Sequence, residues 1–144
     1  MSTDLHATTT ARLRADSQRY TTQRRALVEL LAGLDQPMTI PQLLERRRGM
    51  AQSSVYRNLA VLERAGVVHR ILTSDEFARY ELAEDLTEHH HHLICSTCGE
   101  VTDFTLPGPI ERDLEVALGK VARRATFNAQ HHRLDLVGTC PRCA

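Results

Sequence analysis

The chain of 144 residues has no tryptophan, and its three tyrosines and three phenylalanines bring aromatics to only 4%. Any core must therefore be built mostly of Leu, Val, Ile and Ala, and a half of this chain buries too little surface to be stable without a metal or a second subunit. No run of about 18 apolar residues exists, which excludes a membrane-spanning helix. The segment Met1 to Ser17 carries Thr and Arg but no apolar stretch, so it is not a secretory signal, and a cytoplasmic location is expected. There is no excess of either charge, with 18 basic and 18 acidic residues. The apolar share of 42% and charged share of 25% exclude a disordered chain. Four cysteines in a cytoplasmic setting read as metal ligands rather than as disulfides.

The zero net charge hides an asymmetry. Residues 1–70 hold 11 Arg against 6 acids, whereas residues 71–144 hold 7 Lys and Arg against 12 acids. Six of the eight histidines lie at or beyond His89. One half is thus suited to a polyanion such as nucleic acid, and the other to different chemistry.

The apolar pattern gives an α+β chain in two parts. Thr21 or Thr22 caps a helix through Ala26, Leu27, Leu30, Leu31 and Leu34. Thr39-Ile40-Pro41-Gln42 has the form of a capping box that opens a short helix to Arg48. Gly49 breaks it, and Ser53 or Ser54 caps a third helix that buries Val55, Leu59 and Leu62 and ends at Gly66. Val67–Leu72 and Arg79–Leu82 follow as a hairpin around Thr73-Ser74-Asp75-Glu76. Three helices and a hairpin in this order predict a winged helix-turn-helix over residues 17–83, preceded by a flexible arm over 1–16. The acidic stretch 84–88 reads as a hinge. Residues 89–144 then predict a small α+β unit: strands at His89–Cys95 and Val101–Thr105, a helix near 109–124, and a strand at Phe127–Val137.

If the third helix reads DNA, its outward face offers Ser54, Tyr56, Arg57 and Asn58, types suited to base edges. Arg19, Tyr20, Arg24 and Arg25 are placed to hold the phosphate backbone, which positions without specifying. The alternative is a solvated basic helix face, and that is the reading taken for Arg46-Arg47-Arg48.

Cys95-Ser96-Thr97-Cys98-Gly99 and Cys140-Pro141-Arg142-Cys143 are the strongest signal. Two Cys-x-x-Cys turns can bring four thiolates to one tetrahedral Zn²⁺, a closed structural site with Zn–S of about 2.3 Å. With 41 residues between the pairs, such an ion staples the first strand of the unit to its last residues. Two redox pairs are the alternative, disfavoured by the lack of an oxidising context.

The run His89-His90-His91-His92 leads directly into Leu93-Ile94-Cys95, unlike a purification tag. Strand side chains alternate between faces, so His89 and His91 face one way and His90 and His92 the other. The first pair, with Glu111 and His132, forms an N₃O set for a divalent ion. The second faces the wing, where His69 and Glu81 stand, with Glu84 and Asp103 as further oxygen donors. His6 and His131 are read as bystanders.

Together, Ser53-Ser54-Val55-Tyr56-Arg57-Asn58-Leu59, Tyr80-Glu81-Leu82, the segment from His89 to Gly99 and Cys140-Pro141-Arg142-Cys143 resemble the ferric uptake regulator family over residues 17–144. The resemblance implies a homodimer with an N-terminal winged helix and a C-terminal α/β dimerisation domain over 89–144. It also implies structural zinc at the four cysteines and a metal corepressor at a double-stranded DNA operator of metal-uptake or stress genes. By position it assigns Glu81, His90 and His92 to a hinge regulatory site, and His89, His91, Glu111 and His132 to a site in the dimerisation domain.

One departure bears on the metal. Iron- and peroxide-sensing members resemble one another in a histidine just before the second helix, where this chain has Pro37 and Met38. It carries His69 on the wing instead, as zinc-sensing members do, yet has Ala83 and Glu84 where those add a cysteine. A zinc-responsive repressor is expected, with Fe²⁺, Mn²⁺ or peroxide response as the alternative, since extra oxygen ligands favour Fe²⁺ or Mn²⁺. A zinc hydrolase using Glu81 or Glu111 as base is disfavoured. No His-Glu-x-x-His or deaminase signature exists, and each cluster has four ligands and no open position. A zinc buffer or scaffold is the third reading.

Overall fold

The computed structural model describes residues 2–144, with side chains from Asp4 onward. The N-terminal unit comprises α1 (Ser2–Ala15), α2 (Thr22–Ala32), β1 (Met38–Thr39), α3 (Ile40–Arg46), α4 (Gln52–Arg64), β2 (Val68–Leu72) and β3 (Ala78–Leu82). Thr21 caps α2 by accepting the Arg24 amide, and Thr39 with Gln42 forms the reciprocal capping box of α3. Leu27, Val28, Leu43, Val55, Leu59, Leu62 and Val67 close a single aliphatic core. Gly66, with φ of 79°, takes the left-handed position that turns the chain from α4 into the wing.

Three expectations need correction. Of the segment read as a flexible arm over 1–16, Met1 lies outside the described residues and Ser2–Ala15 form helix α1, whose Leu13 is fully buried in the core. The stripe runs Leu5, Thr9, Leu13, and its middle member is polar; the Thr9 hydroxyl satisfies itself by donating to the Leu5 carbonyl at 2.7 Å. Neither Ser53 nor Ser54 caps α4: the helix starts at Gln52 behind Ala51, which gives no side-chain cap. The wing is a three-stranded antiparallel sheet in the order β1-β3-β2, because Met38 and Thr39 pair with Tyr80 and Arg79.

The wing loop is held from within. Arg79 is buried, and its guanidinium donates to Asp75 Oδ2 at 2.9 Å, Asp75 Oδ1 at 3.0 Å and Thr73 Oγ1 at 2.7 Å. That guanidinium holds the Asp75 carboxyl far below the usual carboxylate range. Asp75→Ala leaves a buried cation short of its partner, and a stability loss of about 1.5–3 kcal/mol is expected by urea unfolding. The depressed pKa places Asp75's contribution above its unfolded pKa, and it is lost only in strong acid. The same loss at pH 7 and pH 5 is therefore expected, and a loss that vanished by pH 5 would contradict this.

Ala83 donates to the Val67 carbonyl and leads into a 3₁₀ turn over Glu84–Leu86, the acidic hinge. The C-terminal unit has β4 (His91–Cys95), β5 (Val101–Phe104), α5 (Gly108–Arg124) and β6 (Asp135–Gly138). Its sheet runs β5-β4-β6, with β5 antiparallel and β6 parallel to β4. The last strand is far shorter than expected: the ladder begins only at Asp135, opposite His92, and residues 127–134 run outside the sheet. Among the described residues α5 buries none of its side chains, and Val116, Val121, Leu136 and Val137 stay exposed.

Candidate metal centres and nucleic-acid face

Four sulfurs meet where the β4–β5 turn approaches the C-terminus. Cys95, Cys98, Cys140 and Cys143 have ligand atoms all within 4.8 Å of one another. All four are free thiols, and Cys98 Sγ lies 3.8 Å from Cys140 Sγ. That separation matches the edge of a tetrahedron with arms of about 2.3 Å, and it is far beyond the roughly 2.05 Å of a disulfide. The amides of Cys98 and Cys140 each donate to Cys95 Sγ at 3.4 Å and lower its pKa to about 6. Cys143, hydrogen-bonded to Cys140, is pushed up to about 12. Four thiols this close cannot all ionise alone, and a divalent cation held by them would supply the missing charge. Gly99 closes the turn with φ of 80°, and a Cβ there would lie 2.4 Å from the Asp75 carboxyl. The wing tip rests on this knuckle, with Ser74 Oγ donating to the Ser96 carbonyl at 2.8 Å.

The histidine run divides between two further clusters. His89, His91, Glu111 and His132 form one. The Glu111 carboxylate accepts from Nε2 of His89 at 2.8 Å, His91 at 2.9 Å and His132 at 3.0 Å. The His91 hydrogen bond, opposed by partial burial and reinforced by His89, holds Glu111 below the usual glutamate range. Glu111 opens α5, so this cluster fastens an otherwise unburied helix to the sheet.

Glu81, His90, His92 and Asp103 form the other, between wing and C-terminal sheet. His90 Nε2 donates to Glu81 Oε2 at 2.9 Å, and His92 Nε2 lies 3.0 Å from Glu81 Oε1. Asp103 is opposite His92 in the β4–β5 ladder, its oxygens 3.6 and 3.9 Å from the two Nε2 atoms. Asp103 Oδ1 is buried and accepts no hydrogen bond among the described residues. Burial opposes charge on Glu81, yet His92 and His90 outweigh it and its pKa falls. Burial likewise disfavours charge on His90 and His92, but the Glu88 carbonyl and Glu81 beside His90, and Glu81 and Asp103 beside His92, raise both. Burial and the Glu81 charge raise Asp103, against the pull of His90 and His92. Two imidazoles and two carboxylates around an unsatisfied buried oxygen fit a divalent cation.

Two expected donors stand outside this set. His69 pairs with Glu81 across the β2–β3 ladder, but it is not within the 4.8 Å grouping, and its buried Nε2 has no hydrogen-bond partner among the described residues. Glu84 faces the first histidine cluster instead, with Oε1 against His89 Nδ1.

On α4, Tyr56 and Arg57 are exposed and Ser54 is half-buried. Asn58 is occupied: its Oδ1 accepts from Arg24 Nε at 3.0 Å, and its Nδ2 donates to Gln23 at 3.2 Å. Arg24 also donates to Gln18 and to the Arg19 carbonyl. The Tyr20 hydroxyl shares a 2.6 Å hydrogen bond with His6 Nδ1, and Arg25 lies over its ring. Arg24, Tyr20 and Asn58 therefore lock α2 to α4 and α1, while Arg19, Tyr56 and Arg57 are free to reach outward.

The sequence pattern of the ferric uptake regulator family matches residues 15–137. The chain belongs to the ferric uptake regulator family. It is 30% identical over 136 residues to the peroxide operon regulator of Bacillus subtilis (strain 168), covering 92% of this chain and 88% of that one. Its fold matches the Vibrio cholerae ferric uptake regulator with a TM-score of 0.66, at 26% identity over 89% of this chain and 96% of the other. A zinc-bound manganese uptake regulator matches with a TM-score of 0.61, at 29% identity over 94% and 98%. Members of the ferric uptake regulator family are metal-responsive transcription regulators and not enzymes, which removes the hydrolase reading.

The groups behind the clustered histidines of this family member were not evident in the sequence. Glu115 Oε1 lies 2.7 Å from His132 Nδ1, the Glu88 carbonyl 2.9 Å from His90 Nδ1, and Asp135 Oδ1 3.5 Å from His92 Nδ1. Glu115 was signalled by its place one helical turn after Glu111. Asp135 carried no such signal, because its position depends on the parallel register of β6.

Proposed function

We propose that the protein is a dimeric repressor whose operator binding is switched on by Fe²⁺ or Mn²⁺ at Glu81, His90, His92 and Asp103. The observation that carries this reading is the equal share of nitrogen and oxygen donors, including the unsatisfied Asp103 oxygen. Zinc was expected at the hinge from Pro37 and His69, but His69 lies outside the donor set. Without it the site is harder and better suited to Fe²⁺ or Mn²⁺. Zn²⁺ suits the four cysteines and the N₃O cluster of His89, His91, Glu111 and His132.

The hinge cluster takes Glu81 from the wing sheet, His92 and Asp103 from the C-terminal sheet, and His90 from the segment just before β4. An ion there fixes the relative orientation of the two units, and in a dimer this sets the spacing of two recognition helices. The exposed apolar residues of α5 and β6 supply the surface for a second copy. Arg19, Tyr56 and Arg57 contact the duplex, with Ser54 at the start of the recognition helix. The curated relatives are named as peroxide regulators, so peroxide defence stands beside metal uptake as the regulated process.

The test is operator affinity at buffered free Mn²⁺, anaerobic Fe²⁺ and Zn²⁺, with the cysteine site kept loaded. Mn²⁺ or Fe²⁺ should raise affinity about 10-fold or more, within the usual range of allosteric coupling. A response to Zn²⁺ alone would return the chain to the zinc-responsive reading, and no response to any ion would remove the switch.

A further inference from the structure

The hinge carboxylate Glu84 ligates neither histidine cluster, yet it touches one of them. Its Oε1 faces His89 Nδ1, the ring nitrogen turned away from Glu111. A metal-ligating histidine needs its second nitrogen held as a donor, which fixes the tautomer and aims the lone pair of the first at the ion. Glu84 is the group that can do this for His89, as Glu115 does for His132.

The neighbouring residue extends the contact into the DNA-binding unit. Asp85 pairs with Arg12 of α1, whose Nη1 lies 3.3 Å from Asp85 Oδ1 and donates to the Gly66 carbonyl at 2.6 Å. Gly66 is the residue on which α4, the recognition helix, turns into the wing. Arg64, in the last turn of α4, donates to Asp16 just beyond α1 at 3.1 Å. Two adjacent acids in one 3₁₀ turn therefore take different partners along one cleft, Glu84 meeting a histidine of the cluster and Asp85 meeting Arg12, which reaches the end of the recognition helix.

We propose that Glu84 is a positioning residue that couples occupancy of the His89, His91, Glu111 and His132 site to the recognition helix, through Asp85, Arg12 and Gly66. The proposal rests on the reading of that cluster as a metal site. Metal there fixes His89 and makes its Nδ1–H a permanent donor to Glu84. The hinge turn is then held, and Asp85 holds Arg12 against the end of α4. The cluster in the dimerisation domain thus acts as a second input beside the hinge ion.

The experiment uses the full-length chain with its cysteine zinc in place, in four forms: unaltered, Glu84→Ala, Glu84→Gln and Arg12→Met. Zn²⁺ affinity at the N₃O cluster is measured by chelator competition. Hydrogen exchange at Gly66 and Val67 is followed with and without that zinc. Glu84→Ala should weaken zinc about 10- to 100-fold, the usual effect of losing such a partner, and abolish the zinc-dependent slowing of exchange. Glu84→Gln keeps an acceptor for Nδ1–H and should restore most of the affinity. Arg12→Met should bind zinc like the unaltered chain but lose the slowing at Gly66 and Val67. If the unaltered chain takes no zinc at this cluster, the metal-site reading fails and the coupling with it. If it takes zinc and Glu84→Ala matches it in affinity and exchange, the coupling alone is overturned.

Discussion

A Cys95→Ser protein is expected to lose its zinc and to unfold from residue 89 onward, while α1 to β3 keep their structure. The C-terminal unit has almost no core in a single chain: His91, His92, Cys95, Gly99 and Val101 are its buried residues among those described. Its helix is held to the sheet by Glu111 rather than by apolar packing. An ion that joins the β4–β5 turn to the C-terminus therefore carries most of the unit's stability. Apparent binding energies of structural zinc in small domains are about 10–16 kcal/mol, comparable with the whole stability of an ordinary domain. Far-UV circular dichroism with zinc analysis checks this, and the far-UV helical signal should fall by roughly the share belonging to α5. A zinc-free Cys95→Ser protein that still melted in one transition like the parent would show that packing, and not the staple, holds the unit.

The second large effect is expected at the hinge. His90→Ala/His92→Ala should erase the metal-dependent part of operator affinity, about 10- to 100-fold, and leave metal-free binding unchanged. Both substitutions lie outside the wing and α4, so the recognition surface survives them. Unchanged metal-dependent affinity in this variant would refute the hinge switch. The pH dependence has a defined sign. His90 and His92 are raised above 6.5, so their protonated forms stabilise the metal-free protein below that value, and this contribution fades as pH rises through the folded pKa values. Metal must displace those protons, so its affinity should fall with decreasing pH, starting above pH 6.5. A flat metal affinity between pH 8 and 6 would contradict that order.

Much of this architecture is readable from residue type and spacing. The capping box at Thr39 and Gln42, the two Cys-x-x-Cys turns and the alternation of four histidines are local signals, and the alternation holds even though β4 starts only at His91. What was not readable depends on partners distant in sequence. Helix α1 was hidden by Thr9, whose hydroxyl makes a polar residue acceptable inside the core. β1 has only two residues and exists because Tyr80 and Arg79 stand opposite it. His69 read as a hinge donor beside Glu81, and Asp103 only as a further oxygen donor. The cross-strand register sets each opposite a cluster member, Asp103 opposite His92 and His69 opposite Glu81, but only Asp103 brings a ligand atom into the group. Asn58 and Arg24 read as DNA contacts by type, but they face each other across the α2–α4 contact.

Four consecutive histidines leave the chain nearly blind to its own frame as it enters β4, which holds His91 and His92 while His89 and His90 precede it. Slide the strand by one residue and three of the four ligand stations still hold a histidine, though each now serves the opposite cluster. Leu93 and Ile94 do little to forbid this, since both are partly exposed. Cys95 does forbid it, because its neighbours Ser96 and Ile94 offer no thiolate to the knuckle. A zinc ion at the four cysteines would therefore work like the index pin of a vernier, deciding which pair of histidines meets Glu81 and which meets Glu111.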